Sequence, residues 1–200
     1  MSARKYKVNE IFYSVQAEGR NAGRAAVFVR FSGCNLSCPF CDTNHEAYRE
    51  MTREEIEAEV NRLSERADLP EQVMVVFTGG EPTLQLVDEE PFCRGRFRAV
   101  ETNGMLRPPC WIDWVTVSPK EELSVPWYDR ADEIKFVYGS LPDEYLIRVE
   151  AATRVWSPFI YVQPMADASG KFDPFPALDF IERHPLFRLS LQFHKLFSIP

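Results

Sequence analysis

AAVFVRFSGCNLSCPFCDT, residues 25–43, sets a short apolar run directly against three cysteines. Residues 25–31 have the length and composition of a buried strand. Cys34, Cys38 and Cys41 follow within eight positions, in a stretch that Asn35 and Pro39 mark as a loop. The same layout recurs along the chain. QVMVVFTGGEP (72–82) predicts a strand ending in a glycine turn, FRAVETNG (97–104) and WIDWVTVSPK (111–120) are built alike, and ADEIKFVYG (131–139) and PFIYVQPM (158–165) continue the series. TREEIEAEVNRLSERADL (52–69) predicts a helix, with Thr52 and Glu55 in a capping-box pattern and Ile56, Val60 and Leu63 on one face. PALDFIERHP (176–185) predicts another helix, and LFRLSLQFHK (186–195) contains a last strand.

Strands alternating with helical or irregular connections define an α/β fold built from parallel units. The polar signals GGEP, ETNG, SPK and QPM all fall at C-terminal strand ends, the edge where β/α barrels keep their chemistry. The expected architecture is a truncated or open (β/α) partial TIM barrel of about six parallel strands, one domain spanning residues 1–200.

Composition narrows the function classes. The chain has 200 residues, 45% hydrophobic and 26% charged, with a formal charge of −7 and no block of Lys and Arg. That balance argues against nucleic acid as a partner and leaves room for a small anionic substrate in a locally basic pocket. There is no apolar stretch of signal-peptide length at the start and no membrane-length run, so the expected compartment is the cytoplasm. Five cysteines, three of them crowded together, fit a reducing compartment better than a disulfide framework. Cys93 and Cys110 read as spare thiols.

Three thiolates in one loop ask for a metal centre. A zinc site would take His45 as its fourth ligand, although C-x3-C-x2-C is not the paired C-x2-C spacing of zinc ribbons. An iron–sulfur cluster usually takes four cysteines, so three leave one iron open to another ligand. C-x3-C-x2-C after the first predicted strand, with Phe40 ahead of the last cysteine, resembles the radical S-adenosylmethionine superfamily. The resemblance implies a 4Fe–4S cluster on Cys34, Cys38 and Cys41, with S-adenosylmethionine on the open iron and a 5′-deoxyadenosyl radical as the reactive species. It also implies that S-adenosylmethionine lies against Phe40, Cys41, Asp42, Gly79, Gly80, Glu81, Ser118, Pro119, Lys120 and Gln163. The two glycines are expected to let backbone approach a ligand with no Cβ in the way.

NEIFYSVQAEG (9–19), VFVRFSGCNLSCPFCDT (27–43), FTGGEP, ETNG, VSPK, IKFV, YVQPM and LSLQFHKLFSIP run in order over nearly the whole chain. Together they resemble the 7-carboxy-7-deazaguanine synthase family of queuosine and 7-deazapurine biosynthesis. The resemblance implies a lyase that converts 6-carboxy-5,6,7,8-tetrahydropterin to 7-carboxy-7-deazaguanine by radical ring contraction with loss of ammonia. It places Val15, Gln16, Ala17, Glu18, Arg30, Thr78 and the terminal Pro200 against the pterin, with the forked guanidinium of Arg30 on the substrate carboxylate. It makes Thr43 the single protein ligand of a Mg2+ completed by substrate and water. It further implies a homodimer and a separate, flavodoxin-like electron donor. Two positions depart from the family pattern. Ala17 stands where glycine is usual, at a cost of about 1 kcal/mol if that glycine has positive φ, and Phe193 stands where a smaller residue is frequent. The other readings are a glycyl-radical-enzyme activase or other short radical enzyme, and a zinc-binding module that would leave GGEP unexplained.

Overall fold

The computed structural model describes residues 3–41, 43, 46–122, 128–155, 159–167 and 171–199. Asp42, His45 and Pro200, each named above, lie outside the described residues, as does Pro158 at the start of one predicted strand. In chain order the elements are β1 (Lys5–Val15), β2 (Ala25–Phe31), β3 (Arg49–Thr52), α1 (Arg53–Ser64), β4 (Met74–Gly79), β5 (Arg98–Thr102), β6 (Trp114–Val117), β7 (Glu133–Tyr138), α2 (Asp143–Thr153), β8 (Phe159–Pro164), α3 (Phe175–Arg183), β9 (Phe187–Leu189) and α4 (Phe193–Phe197).

The strands form one open sheet, ordered β3-β1-β2-β4-β5-β6-β7-β8-β9. From β2 to β9 every neighbouring pair is parallel, which makes seven parallel strands among the described residues rather than six. The count differs at β9, a three-residue edge strand. β1 and β3 add an antiparallel edge, so AAVFVRF is the second strand of the chain, not the first. β1 carries the half-buried alternation of an edge region, with Tyr6 and Val8 buried and Lys5 and Lys7 exposed. A register shift between Val8 and Glu10 breaks its period.

Strand alternation sends successive side chains to opposite faces. Val27, Val29, Phe31, Val75, Phe77, Val100, Ile134, Phe136 and Val162 pack with Ile56 and Val60 of α1, Leu146 and Val149 of α2 and Phe180 of α3 in the main core. On the other face a small apolar cluster of Ala26, Met74, Val76 and Ala99, flanked by Phe28, Phe97 and Trp114, covers the N-terminal strand ends. Towards the C-terminal ends that face turns polar. Arg30, Thr78, Glu101, Thr116 and Glu133 come from successive strands in register, with Lys135 and Gln163 further along the strands.

The capping box forms as predicted. The Glu55 N–H donates to Thr52 Oγ1 at 3.3 Å and the Thr52 N–H to Glu55 Oε2 at 2.7 Å. α1 ends at Ser64 with Glu65 as its C-cap, short of residue 69. α2 has no counterpart among the predicted helices, although Tyr145, Leu146 and Val149 lie at helical spacing behind an acidic first turn.

Candidate active site

The cysteine loop leaves β2 under a tight constraint. The Gly80 N–H donates to Phe31 O at 2.9 Å and the Glu81 N–H to Gly33 O at 2.8 Å, which presses the end of β4 against the root of the loop. A Cβ on Gly80 would lie 2.0 Å from Gly33 O, and one on Gly79, at φ +116°, would lie 2.2 Å from Phe31 O. The glycine pair therefore also permits a close approach to the chain's own backbone at the root of the cysteine loop. Glu81 is 1% exposed and works as a strut. Its Oε1 accepts from Thr83 N, Thr83 Oγ1 and Thr102 Oγ1, and its Oε2 from Asn103 N at 2.7 Å. Asn103 Nδ2 donates to Asn35 Oδ1 at 2.8 Å, so the ETNG turn grips the loop between the first two cysteines.

Within the loop the Cys41 N–H closes a turn on Cys38 O at 3.1 Å. All three cysteines are free, Cys34 and Cys38 half-buried and Cys41 exposed. Among the described residues no three His, Cys, Asp or Glu side chains are gathered closely enough to hold a single metal ion. The donor set itself fits an iron–sulfur cluster: three unpaired thiols, one chemistry, on a loop fixed at its root. Burial pushes the Cys38 thiol up, and the charge of Lys120 works against that rise. Lys120 Nζ donates to Ser118 Oγ at 2.8 Å and stands 5.9 Å from the centre of the Phe40 ring. Leu36, Cys38, Pro39, Phe40 and Lys120 line a cavity of about 150 Å³. Cys38 and Phe40 of the cysteine motif and Ser118 and Lys120 of the SPK stretch, two separate signals, are thus brought together. Thr43 is half-buried, and its carbonyl accepts a long contact from Cys41 Sγ at 3.6 Å.

The second half of the site is the loop between β1 and β2. It is not a solvated turn. Gln16 and Ala17 are buried, while Val15 is 38% exposed. Gln16 Oε1 accepts from the Ala17 and Glu18 N–H groups, and Gln16 Nε2 donates one of its two hydrogens to Glu101 Oε1 at 2.9 Å. Glu18 Oε2 pairs with Lys135 Nζ, and Glu18 Oε1 accepts from Gln192 Nε2 at 2.9 Å. Lys135 Nζ also donates to Glu101 Oε2 at 3.1 Å. The Gly19 N–H reaches Ser190 Oγ at 3.1 Å, Ser190 Oγ donates to Gln163 Oε1 at 3.0 Å, and the Arg20 N–H donates to Glu133 Oε2 at 2.7 Å. Gly19 has φ +63°, and a Cβ there would meet Glu133 Oε1 at 2.0 Å.

The electrostatics follow from this burial. Desolvation would lower the Lys135 ammonium, but Glu101, Glu18 and Glu133 outweigh it and raise it. Burial favours the neutral form of Glu18, and Lys135 overrides it to hold the carboxyl below its usual range. Glu133, 2% exposed, is pushed up to about 7 by burial, against the lowering charge of Lys135. Lys120 is lowered by burial and by the charge of Lys135.

Two sequence readings gain detail here. Arg30 already has a carboxylate partner, since its Nε donates to Glu10 Oε1 at 2.7 Å and its guanidinium lies 5.6 Å from the centre of the Phe12 ring. It does share a face and a register position with half-buried Thr78. Ala17 does not adopt positive φ, so the feared backbone cost is not incurred. The two departures also meet: the Phe193 N–H donates to Ala17 O at 3.2 Å. Glu101, Glu133, Lys135, Ser190 and Gln192 are absent from the predicted site. For Glu101, Glu133 and Lys135 the signal was a charge inside an apolar strand (AVET, DEIKFV), the same signal that singled out Arg30; Ser190 and Gln192, uncharged and beyond β9, carried none.

An open, mostly parallel α/β sheet with a three-cysteine loop at its C-terminal edge is the architecture of the radical S-adenosylmethionine enzymes, and the profile of the Radical SAM superfamily matches residues 28–123. Superfamily membership implies a 4Fe–4S cluster and S-adenosylmethionine as cofactors. A protein of Bacteroides thetaiotaomicron named 7-carboxy-7-deazaguanine synthase is 42% identical, over 96% of this chain and 98% of that relative. One of the same name from Bordetella pertussis is 36% identical, over 98% and 99%. The crystal structure of QueE from Escherichia coli superposes with a TM-score of 0.73 at 26% identity, covering 94% of each chain. The chain belongs to the 7-carboxy-7-deazaguanine synthase family.

Proposed function

We propose that this enzyme converts 6-carboxy-5,6,7,8-tetrahydropterin to 7-carboxy-7-deazaguanine, a carbon–nitrogen lyase reaction that contracts the ring and releases ammonia. The observation that carries this reading is the buried network of Glu18, Glu101 and Lys135 beside the cysteine loop. Glu18, Glu101 and Glu133 outnumber the lysine between them, which suits a ligand rich in N–H donors and poor in negative charge at that end. When bound, the cluster and S-adenosylmethionine supply the 5′-deoxyadenosyl radical that takes hydrogen from the substrate.

The residues of the chain then have distinct tasks. Cys34, Cys38 and Cys41 hold the cluster. Phe40, Ser118, Pro119, Lys120 and Gln163, with Asp42 and the backbone of Gly79, Gly80 and Glu81, hold S-adenosylmethionine. Glu18 and Glu101 accept from the ring N–H groups, and Thr78 supports them from the next strand. Gln16 Oε1 braces the loop, and Val15, Gln16 and Ala17 lie against the pterin. Arg30 takes the substrate carboxylate through its terminal nitrogens while Glu10 holds Nε, and Pro200 is a further contact of the pterin. Thr43 contributes one oxygen to a Mg2+ completed by substrate and water. The chain works as one domain in the cytoplasm, reduced by a flavodoxin-like donor. Among the described residues no helix is long and apolar enough to cross a membrane. We assign a homodimer on the exposed Phe175, Leu186, Leu196 and Phe197, carried by elements at the β9 edge of the sheet.

The test is anaerobic reconstitution with iron and sulfide, followed by turnover with reductant, S-adenosylmethionine, Mg2+ and the carboxy-tetrahydropterin. A brown protein that forms 7-carboxy-7-deazaguanine, read by mass spectrometry, is the expected result. A loaded cluster with no such product would overturn this reading in favour of another short radical enzyme.

A further inference from the structure

We infer that Lys135 is a positioning residue for this reaction: its ammonium crosslinks Glu18 of the β1–β2 loop to Glu101 of β5, and so presents two carboxylates at one fixed spacing. The inference rests on the proposed function and names a group that touches neither cofactor nor substrate in that scheme.

The geometry is symmetrical in its logic. Each carboxylate has one oxygen on Lys135 and the other on a glutamine amide. Glu101 takes Lys135 Nζ on Oε2 and Gln16 Nε2 on Oε1. Glu18 takes Lys135 Nζ on Oε2 and Gln192 Nε2 on Oε1. With both oxygens held, neither carboxylate can rotate, and each oxygen keeps a second lone pair for an incoming donor. The lysine side chain is only 5% exposed and rises from the middle of β7, so the crosslink is anchored on a strand rather than on a loop. Without it, two carboxylates brought together from residues far apart in sequence would repel each other and turn towards water. A preformed pair also removes an ordering cost that substrate would otherwise meet on binding.

A merely structural lysine would neutralise buried charge and do nothing more. The two roles separate in steady-state kinetics of the reconstituted enzyme. Lost structure lowers the active fraction, so kcat falls and KM for the pterin stays put. Lost positioning raises KM, while iron content, visible absorbance and affinity for S-adenosylmethionine stay near wild type. Lys135→Met is expected to raise KM for the carboxy-tetrahydropterin at least about tenfold, with S-adenosylmethionine affinity within twofold of wild type. Should Lys135→Met fail to fold, Lys135→Arg keeps the charge and changes the reach, and is expected to raise KM at least about fivefold. A KM within twofold of wild type in the folded variant would overturn the inference. Wild-type enzyme run alongside keeps the two failures apart. Product from wild type with an unmoved variant KM sinks only the role of Lys135, whereas no product from wild type sinks the functional reading and this inference with it.

Discussion

Glu133 gives the sharpest quantitative handle on the buried network. Its carboxyl ordinarily ionises at 4.5 and is pushed up to about 7 in the folded chain, chiefly by burial. A group whose folded value lies above its unfolded value binds its proton more tightly in the native state. Its contribution is therefore fully present below 4.5 and is lost as pH rises towards 7. At 1.36 kcal/mol per pH unit the full linkage amounts to about 3 kcal/mol, of which about 2.5 kcal/mol falls between pH 5 and pH 8. Glu133→Gln keeps an oxygen to accept the Arg20 N–H and cannot titrate. Urea unfolding of the wild type and the variant across pH 5 to 8 should show the variant gaining about 2.5 kcal/mol relative to wild type as pH rises. Glu18 has the opposite sign, since its lowered carboxyl contributes above its unfolded value and is lost only as pH falls through the folded one. It is present in both proteins and drops out of the difference. A stability gap that stays flat across this window would refute the claim that burial raises the Glu133 carboxyl by more than Lys135 lowers it.

Cys38→Ala should lose the iron–sulfur absorbance and all turnover, while Cys93→Ala, whose buried thiol is pushed up to about 12 and stays protonated, should keep both. Equal losses from the two would count against the three-cysteine assignment. Gly80→Ala should displace the root of the cysteine loop, because its Cβ would meet Gly33 O at 2.0 Å. Reduced iron uptake on reconstitution would show this, and full uptake would contradict it. Glu81→Gln swaps one accepting oxygen for a donor against Thr or Asn103 N–H groups that need an acceptor. A loss of about 2 kcal/mol, roughly 4–8 °C in melting temperature for a chain of this size, is expected by calorimetry, and an unchanged melting temperature would mean the strut is dispensable.

Much of the scaffold was legible as local pattern. Ala25–Phe31, Met74–Gly79, Glu133–Tyr138 and Phe159–Pro164 are apolar runs bounded by turn residues, and each is a strand close to where the pattern places it. β1 was not legible in the same way, since its period breaks at the shift between Val8 and Glu10 and its polar residues read as loop. The SPK and CPFC stretches pointed to one place because both end up beside Lys120 and Cys38. Arg30 drew notice as a charge in an apolar strand, but its Glu10 partner depends on the antiparallel pairing of β1 with β2, which no local feature announces.

By itself, then, the sequence determined the elements and the chemistry they carry: three thiols at one spacing, a glycine pair after a strand, a capping box, and strands uniform enough to be buried on both faces. Those follow from covalent neighbours and from the two backbone periods. Only the tertiary structure decided that Glu18 meets Lys135, 117 residues away, that Glu101 shares the same ammonium, and that the glycine pair also anchors the root of the cysteine loop. The physical reason is register. Which side chains stand opposite one another on a sheet depends on strand order and alignment across the whole fold, and a one-residue shift would send every one of them to the other face.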